Sequence, residues 1–313
     1  VSGFRMRVVV SEVRVVRIAL LGETQVSAAD GSTRQVGGPR VRLLLALLAL
    51  EPGRTVRCAS LIDTIWGDAP PAEPANALQT LVKRLRAVLP DGVAVESVGL
   101  AYRLVADPDD IDVHRFIRLA EEGRDLLTAD AAGAAAHALD TALGLWRGAA
   151  FADLADCPDL GWHADRWSEL RLDAIEARAD AYLSLGRGRE LSASLERELR
   201  LQPLRESLAA RAIRVLAAEG RQTRAREVFD VTRRLLRTEL GVSPSPELAH
   251  ARDELDCVAE YSGSRLSVRS AAPIAHDLDR VRVAPNPAST LPAYCQGPGG
   301  QCARWSVGPF ESE

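Results

Sequence analysis

Lysine is almost missing from this chain: of 39 basic side chains, only Lys83 is a lysine. A bias so strong toward arginine, with abundant alanine and leucine, points to a GC-rich genome rather than to a function. It also excludes one chemistry. A phosphate-cradling G-x-x-x-x-G-K-[ST] loop needs a lysine, and Lys83 follows Val82 with no glycine nearby. Cysteine is sparse and dispersed: Cys58, Cys157, Cys257, Cys295 and Cys302 form no C-x-x-C pair and no Cys/His cluster at metal spacing. The expectation is inert thiols in a reducing compartment, with no metal and no cofactor. Long apolar runs are absent too. The longest, Val41 to Leu50, is broken by Arg42 and falls short of the ~18 residues of a membrane span. The N-terminal stretch carries charges through its apolar part and no small-residue cleavage site, so a cytoplasmic, nucleoid-associated protein is expected. Five histidines are scattered, and neither H-E-x-x-H nor G-x-S-x-G occurs, which argues against an enzyme.

What is present divides in two. The 313 residues are 47% hydrophobic with a formal net charge of −4, enough apolar content for about two domains. Residues 1–106 hold 13 basic and 9 acidic side chains, whereas residues 107–313 hold 26 and 34. A basic first half thus joins an acidic second half near Asp107.

In the first half, short β-branched stretches between Val15 and Val36 alternate with turn residues such as Asp30-Gly31, predicting three antiparallel strands. Pro39 opens a helix that ends at Pro52-Gly53, and a second helix runs from about Cys58 to Trp66. Pro74 opens a third, to Leu89, and two strands joined at Val98–Ala101 follow. Strands, three helices and a hairpin make a winged helix-turn-helix with an N-terminal sheet. Residues 112–258 read as almost unbroken helix, punctuated at Gly148, Pro158, Gly186, Pro203, Gly220 and Gly241. Leu185-Gly186-Arg187 and Glu219-Gly220-Arg221 lie 34 residues apart, the tetratricopeptide period, each followed by a helix with small residues expected to face inward: Ser192, Ala193 and Ala225. The fold class expected is therefore an α+β winged helix-turn-helix domain, then an all-α TPR-like helical-repeat domain. From about Ser262 the composition turns to Ser, Pro and Gly, predicting a disordered tail. The domains are drawn as 1–106 (with 1–16 as an extension), 107–258 and 259–313. Acidic pairs such as Asp109-Asp110 and Glu121-Glu122 read as solvated helix ends.

The third helix carries the functional argument. On a wheel of ~100° per residue with Asn76 at zero, Leu78, Leu81, Val82, Leu85, Val88 and Leu89 fall between about 120° and 240°. Asn76, Gln79, Thr80, Lys83, Arg84 and Arg86 fall within about 80° of zero. The polar face contains no acid, so the Glu–Lys pairing of an ordinary solvated face is missing. It offers side chains that bond base edges and phosphates, on the helix that a helix-turn-helix places in the major groove. Asn76, Gln79, Thr80 and Lys83 are candidates for base edges, Arg84 and Arg86 for phosphates. Arg40 and Arg42 on the first helix are candidates for phosphates or for simple solvation.

The stretches "VGGPRVRLLLALLAL", "LIDTIWGDAPPAEPANALQTLVKRLRAVL", "YRLVADPDDIDVHRF", "ALGLWRGAAFADLAD" and "LLRTELGVSPSPEL" together resemble the Streptomyces antibiotic regulatory proteins. That family joins an OmpR-type winged helix to a bacterial transcriptional activation domain. The resemblance spans roughly residues 17–257. It implies an activator of secondary-metabolite gene clusters that binds direct repeats in double-stranded promoter DNA. It also implies head-to-tail self-association and recruitment of RNA polymerase, with no membrane partner. A repressor of the same architecture and a protein-binding scaffold are the alternatives. The wing departs from the family pattern Arg-Gly-x-Gly-Tyr-Arg, reading Val98-Gly99-Leu100-Ala101-Tyr102-Arg103. Val98 cannot reach a minor groove as arginine does, and Ala101 is expected to strain the turn if it needs a positive φ.

Overall fold

The computed structural model describes residues 16–28 and 31–267, with side chains as far as residue 257. Asp30 of the first turn, the extension before residue 16 and the tail beyond residue 267 lie outside the described residues.

Three short strands, β1 (Ile18–Ala19), β2 (Gln25–Ser27) and β3 (Thr33–Gln35), form an antiparallel meander. Three helices follow: α1 (Pro39–Ala49), α2 (Cys58–Trp66) and α3 (Pro74–Arg86). Proline opens α1 and α3 because its fixed φ suits the first turn, where its missing N–H goes unnoticed. The third helix stops three residues short of the expected Leu89. Pro90 disfavours helical backbone in the residue before it, and the chain closes through Val88 and Leu89 N–H bonds to the Leu85 carbonyl. Strands β5 (Ala94–Val98) and β6 (Ala101–Val105) form the wing. A third strand escaped the sequence reading: β4 (Val56–Arg57) pairs antiparallel with β6, giving the sheet order β4-β6-β5. Two residues are too few for a period to register.

The second half consists of α4 (Asp112–Thr128), α5 (Ala132–Leu143), α6 (Pro158–Ser184), α7 (Ser192–Leu201), α8 (Glu206–Ala218), α9 (Gln222–Leu235) and α10 (Pro246–Ser267), with a π-helical turn at Leu236–Leu240. This is a winged helix-turn-helix followed by an all-α TPR-like array. The closing helix runs on to Ser267. Gly186 and Gly220 end α6 and α8 at φ values of 66 and 76, and behind each the Arg187 and Arg221 N–H groups bond back to Tyr182 and Leu216. Asp130 makes the same closure after α4 at φ 57, with Ala131 bonded back to Leu126, in a stretch expected to be continuous helix. Aspartate tolerates that backbone without announcing it as glycine does. Ala225 is buried as expected, but Ser192 is half-buried and Ala193 exposed. Leu191 and Leu195 fill the interior there instead, with Gly188 close under Leu183 and Val215.

The two halves share one core. Ile18, Leu20, Leu21 and the α1 leucines pack in a continuous cluster with Ile111, Phe116, Phe151 and Trp167. The loop between α5 and α6 is stitched to the N-terminal strands by Arg147, Phe151 and Ala152 N–H bonds to the Leu21, Leu20 and Gly22 carbonyls. Phe151 takes a φ of 54, costly for so bulky a residue, with its ring buried 4.8 Å from that of Trp167. Asp112 is buried in the seam. Its carboxylate accepts the Leu20 and Leu21 N–H groups at 2.8 and 2.9 Å, with Arg147 at 3.6 Å. Burial outweighs these partners and raises its pKa to about 6. Asp110, read from sequence as solvated, is also buried, and its carboxylate lies 3.5 Å from the Arg17 guanidinium.

Candidate nucleic-acid interface

Helix α3 buries Leu78, Leu81, Val82 and Leu85 and leaves Asn76, Gln79, Thr80, Lys83, Arg84 and Arg86 exposed. The exposed side chains do not stand in one state. Gln79, Lys83 and Arg84 make no hydrogen bond or ion pair with any described residue. Thr80 returns its hydroxyl to the Asn76 carbonyl at 2.9 Å, which leaves its oxygen free to accept. Asn76 donates its side-chain amide to Glu73, the residue ahead of the helix, so an acid does reach the edge of the face that looked acid-free. Arg86 turns away from the face. Its Nε donates to the Val95 carbonyl at 2.9 Å and Nη2 to Ser97 Oγ at 3.1 Å, tying α3 to the wing.

On α1, Arg40 is exposed with its guanidinium 5.8 Å from the Trp66 ring centroid. Arg42 lies in the seam. Its Nε is 2.6 Å from Asp153, whose other oxygen accepts from the Thr24 N–H and hydroxyl. The ion pair occupies one edge of its guanidinium, while 27% of the side chain stays exposed. Periodicity placed Arg42 on α1 correctly but could not place Asp153, more than a hundred residues away, beside it.

The wing turn is Gly99-Leu100, between Val98 and Ala101, which pair directly. Gly99 takes the positive φ of 59 at the first central position, as a type II′ turn requires. Ala101 lies in β6, and positive φ among the described non-glycine residues is confined to Asp130 and Phe151, so the expected strain at Ala101 is not there. Tyr102 is buried and Arg103 is bonded to Glu96. Leu100 stands 87% exposed at the tip. Arg57, which no motif marked, sits opposite Ala101 across β4 and β6 and therefore shares a sheet face with Val98 and Ala101. It is exposed and has no acidic partner among the described residues. Only the β4–β6 pairing shows that it belongs beside the wing.

Among the described residues, no group of three or more His, Cys, Asp or Glu side chains is arranged to hold a metal, and no helix is long and apolar enough to cross a membrane.

A winged helix with an open reading face, fused to a helical array, defines a class of transcriptional regulators. Residues 36–104 match the family described as "Transcriptional regulatory protein, C terminal", and residues 111–255 match "Bacterial transcriptional activator domain". The chain is 34% identical to Transcriptional regulator RedD of Streptomyces coelicolor, over 77% of this chain and 70% of that protein. It is 35% identical to Regulatory protein DnrI of Streptomyces peucetius, over 67% and 80%. Regulatory protein AfsR of Streptomyces coelicolor is 37% identical over 76% of this chain, but the match spans only 24% of that longer protein. The structure of Mycobacterium tuberculosis EmbR, in complex with a low-affinity phosphopeptide, superposes with a TM-score of 0.70 at 26% identity, covering 81% of this chain and 71% of that one. The chain belongs to the Streptomyces antibiotic regulatory protein family of transcriptional regulators.

Proposed function

We propose that this protein is a pathway-specific activator of a secondary-metabolite gene cluster, reading direct repeats in promoter DNA with α3 in the major groove. The observation that carries the reading is the uncommitted state of Gln79, Lys83 and Arg84 on the second helix of a helix-turn-helix. Gln79, Lys83 and, beside them, Asn76 and Thr80 address base edges. Arg84, Arg40 and Arg57 hold phosphates. Arg86 acts at one remove, by fixing α3 against the wing. Residues 1–106 serve as the DNA-binding part and 107–258 as the activation part. Direct repeats need a head-to-tail contact between protomers, one surface against a different one, because a two-fold contact would demand inverted repeats. The helical part meets the neighbouring protomer and RNA polymerase, and such work places the protein in the cytoplasm with the nucleoid.

The test is genome-wide footprinting of the tagged protein, followed by binding to the recovered sites at two salt concentrations. Direct repeats at promoters, affinity falling steeply with salt and loss of the adjacent transcripts on gene deletion are expected. Rising transcripts would make the protein a repressor. Absence of enrichment would leave α3 a protein-binding face.

A further inference from the structure

A cavity of about 400 Å³ opens between the α5–α6 loop, the middle of α6 and the C-terminal end of α7, remote in sequence from the reading helix. That volume is within the range of small-molecule sites, about 300–1,000 Å³. Its chemistry is lopsided. Arg147, Arg171 and Arg197 line it against a single carboxylate, Glu198, which is taken by Arg171 at 3.0 Å. Arg197 has no hydrogen bond or ion pair with any described residue. Arg205, by contrast, alone holds Glu169, Asp173 and Glu176.

The wall beside these arginines is aromatic. Trp146 packs edge-on to Phe116 at 5.4 Å and carries the Arg171 guanidinium 5.6 Å from its ring. Its indole N–H is buried with no hydrogen-bond partner among the described residues. A buried donor without an acceptor is costly and rare in native proteins. Leu172 and Leu201 complete an apolar side.

We propose that this cavity binds a small organic anion, one that presents a carboxylate or phosphate to Arg197 and lays an apolar or aromatic body on the side formed by Leu172 and Leu201. A guanidinium fork matches both oxyanions. Occupancy bears on the seam between the two halves, because Arg147 on the cavity wall also donates to the Glu23 carbonyl at 3.1 Å and lies beside Asp112. A bound anion drawing on Arg147 thus loads the loop that holds the DNA-reading half. The site stands independently of what α3 reads.

The experiment uses the full chain with four probes: inorganic phosphate, phenyl phosphate, benzoate and neutral benzyl alcohol. Thermal shift and titration calorimetry are the readouts. Saturable binding of phenyl phosphate or benzoate is expected, with whichever binds tighter identifying the oxyanion, and none of benzyl alcohol. Arg197→Ala removes a charged donor and is expected to weaken binding about tenfold or more. Its unliganded melting temperature should stay unchanged, since Arg197 is exposed and unpaired. Absence of saturable binding at millimolar probe, or unaltered affinity in Arg197→Ala, would overturn the proposal. Equal affinity for inorganic phosphate and phenyl phosphate would overturn the organic body of the ligand.

Discussion

Lys83 and Arg84 are neighbours in sequence, both exposed and both without an acidic partner among the described residues, yet under the proposed function they meet different parts of a duplex. If Lys83 reads a base edge, Lys83→Ala should cost about 1–3 kcal/mol at cognate sites and relax preference at one position. Arg84→Ala should weaken all sequences alike and reduce the slope of log affinity against log salt by about one. Footprints on randomised sites at several salt concentrations separate the two. Asp112 makes a second prediction at this scale. Its carboxyl has a pKa of about 6 in the folded chain against 3.8 for the unfolded reference, so the folded state binds its proton more tightly. Stability from this group is therefore fully present below the unfolded pKa and is lost as pH rises through about 6. Wild type should gain stability relative to Asp112→Asn as pH falls from 7 to 5, by the equivalent of about 1 kcal/mol, read as the shift in their melting-temperature difference. A gap constant with pH would show that the carboxyl titrates normally.

At the scale of elements, two glycines that look alike in the sequence do opposite things. A Cβ on Gly123 would fall 2.5 Å from Leu139 Cγ, so this glycine is what lets α4 and α5 close on each other. A Cβ on Gly186 meets nothing, and its positive φ is the whole requirement. Gly123→Ala should cost about 1–3 kcal/mol through overpacking, and Gly186→Ala about 1 kcal/mol through backbone strain. Chemical denaturation distinguishes them, because replacing Leu139 by alanine, which removes the clashing Cγ, should cost less in Gly123→Ala than in wild type and no less in Gly186→Ala. The same contrast shows how far the sequence could be read. Prolines announced α1 and α3, glycines announced the ends of α6 and α8, and the apolar stripe of α3 separated its buried from its exposed side chains. Strand β4 and the Asp130 turn had no comparable marker. Exposure on the wheel also said nothing of partners: Arg86 and Arg84 share a face, but only the folded chain brings Val95 and Ser97 to the first of them.

For the molecule as a whole, the charge step near Asp107 marks two compositions. Composition cannot show that hydrophobic residues on its two sides pack into one cluster, since that depends on contacts between distant segments. Nor is the acidic half an open acidic surface. Arg205 and Arg211 on and before α8 clamp Glu169, Asp173, Glu176 and Asp180 of α6, so much of its negative charge is neutralised internally. A fragment ending at residue 106 would strip the partners from Leu20 and Leu21 and leave their N–H groups without Asp112. Such a fragment should fail to show a cooperative melt, whereas residues 16–267 should unfold in a single calorimetric transition. Two resolved transitions in the longer piece would mean that the halves are separately stable.

The loop that clasps the N-terminal strands removes the swivel that joins reader to platform in a hinged regulator. If the proposed DNA reading holds, spacing would be converted into compass bearing. Two protomers on repeats about 10 bp apart would turn their helical arrays to the same side of the duplex. Inserting about 5 bp would send the second array to the opposite side. Promoter output should then follow the helical phase of the repeats, falling and recovering with each half-turn of insertion, while each repeat alone is still occupied.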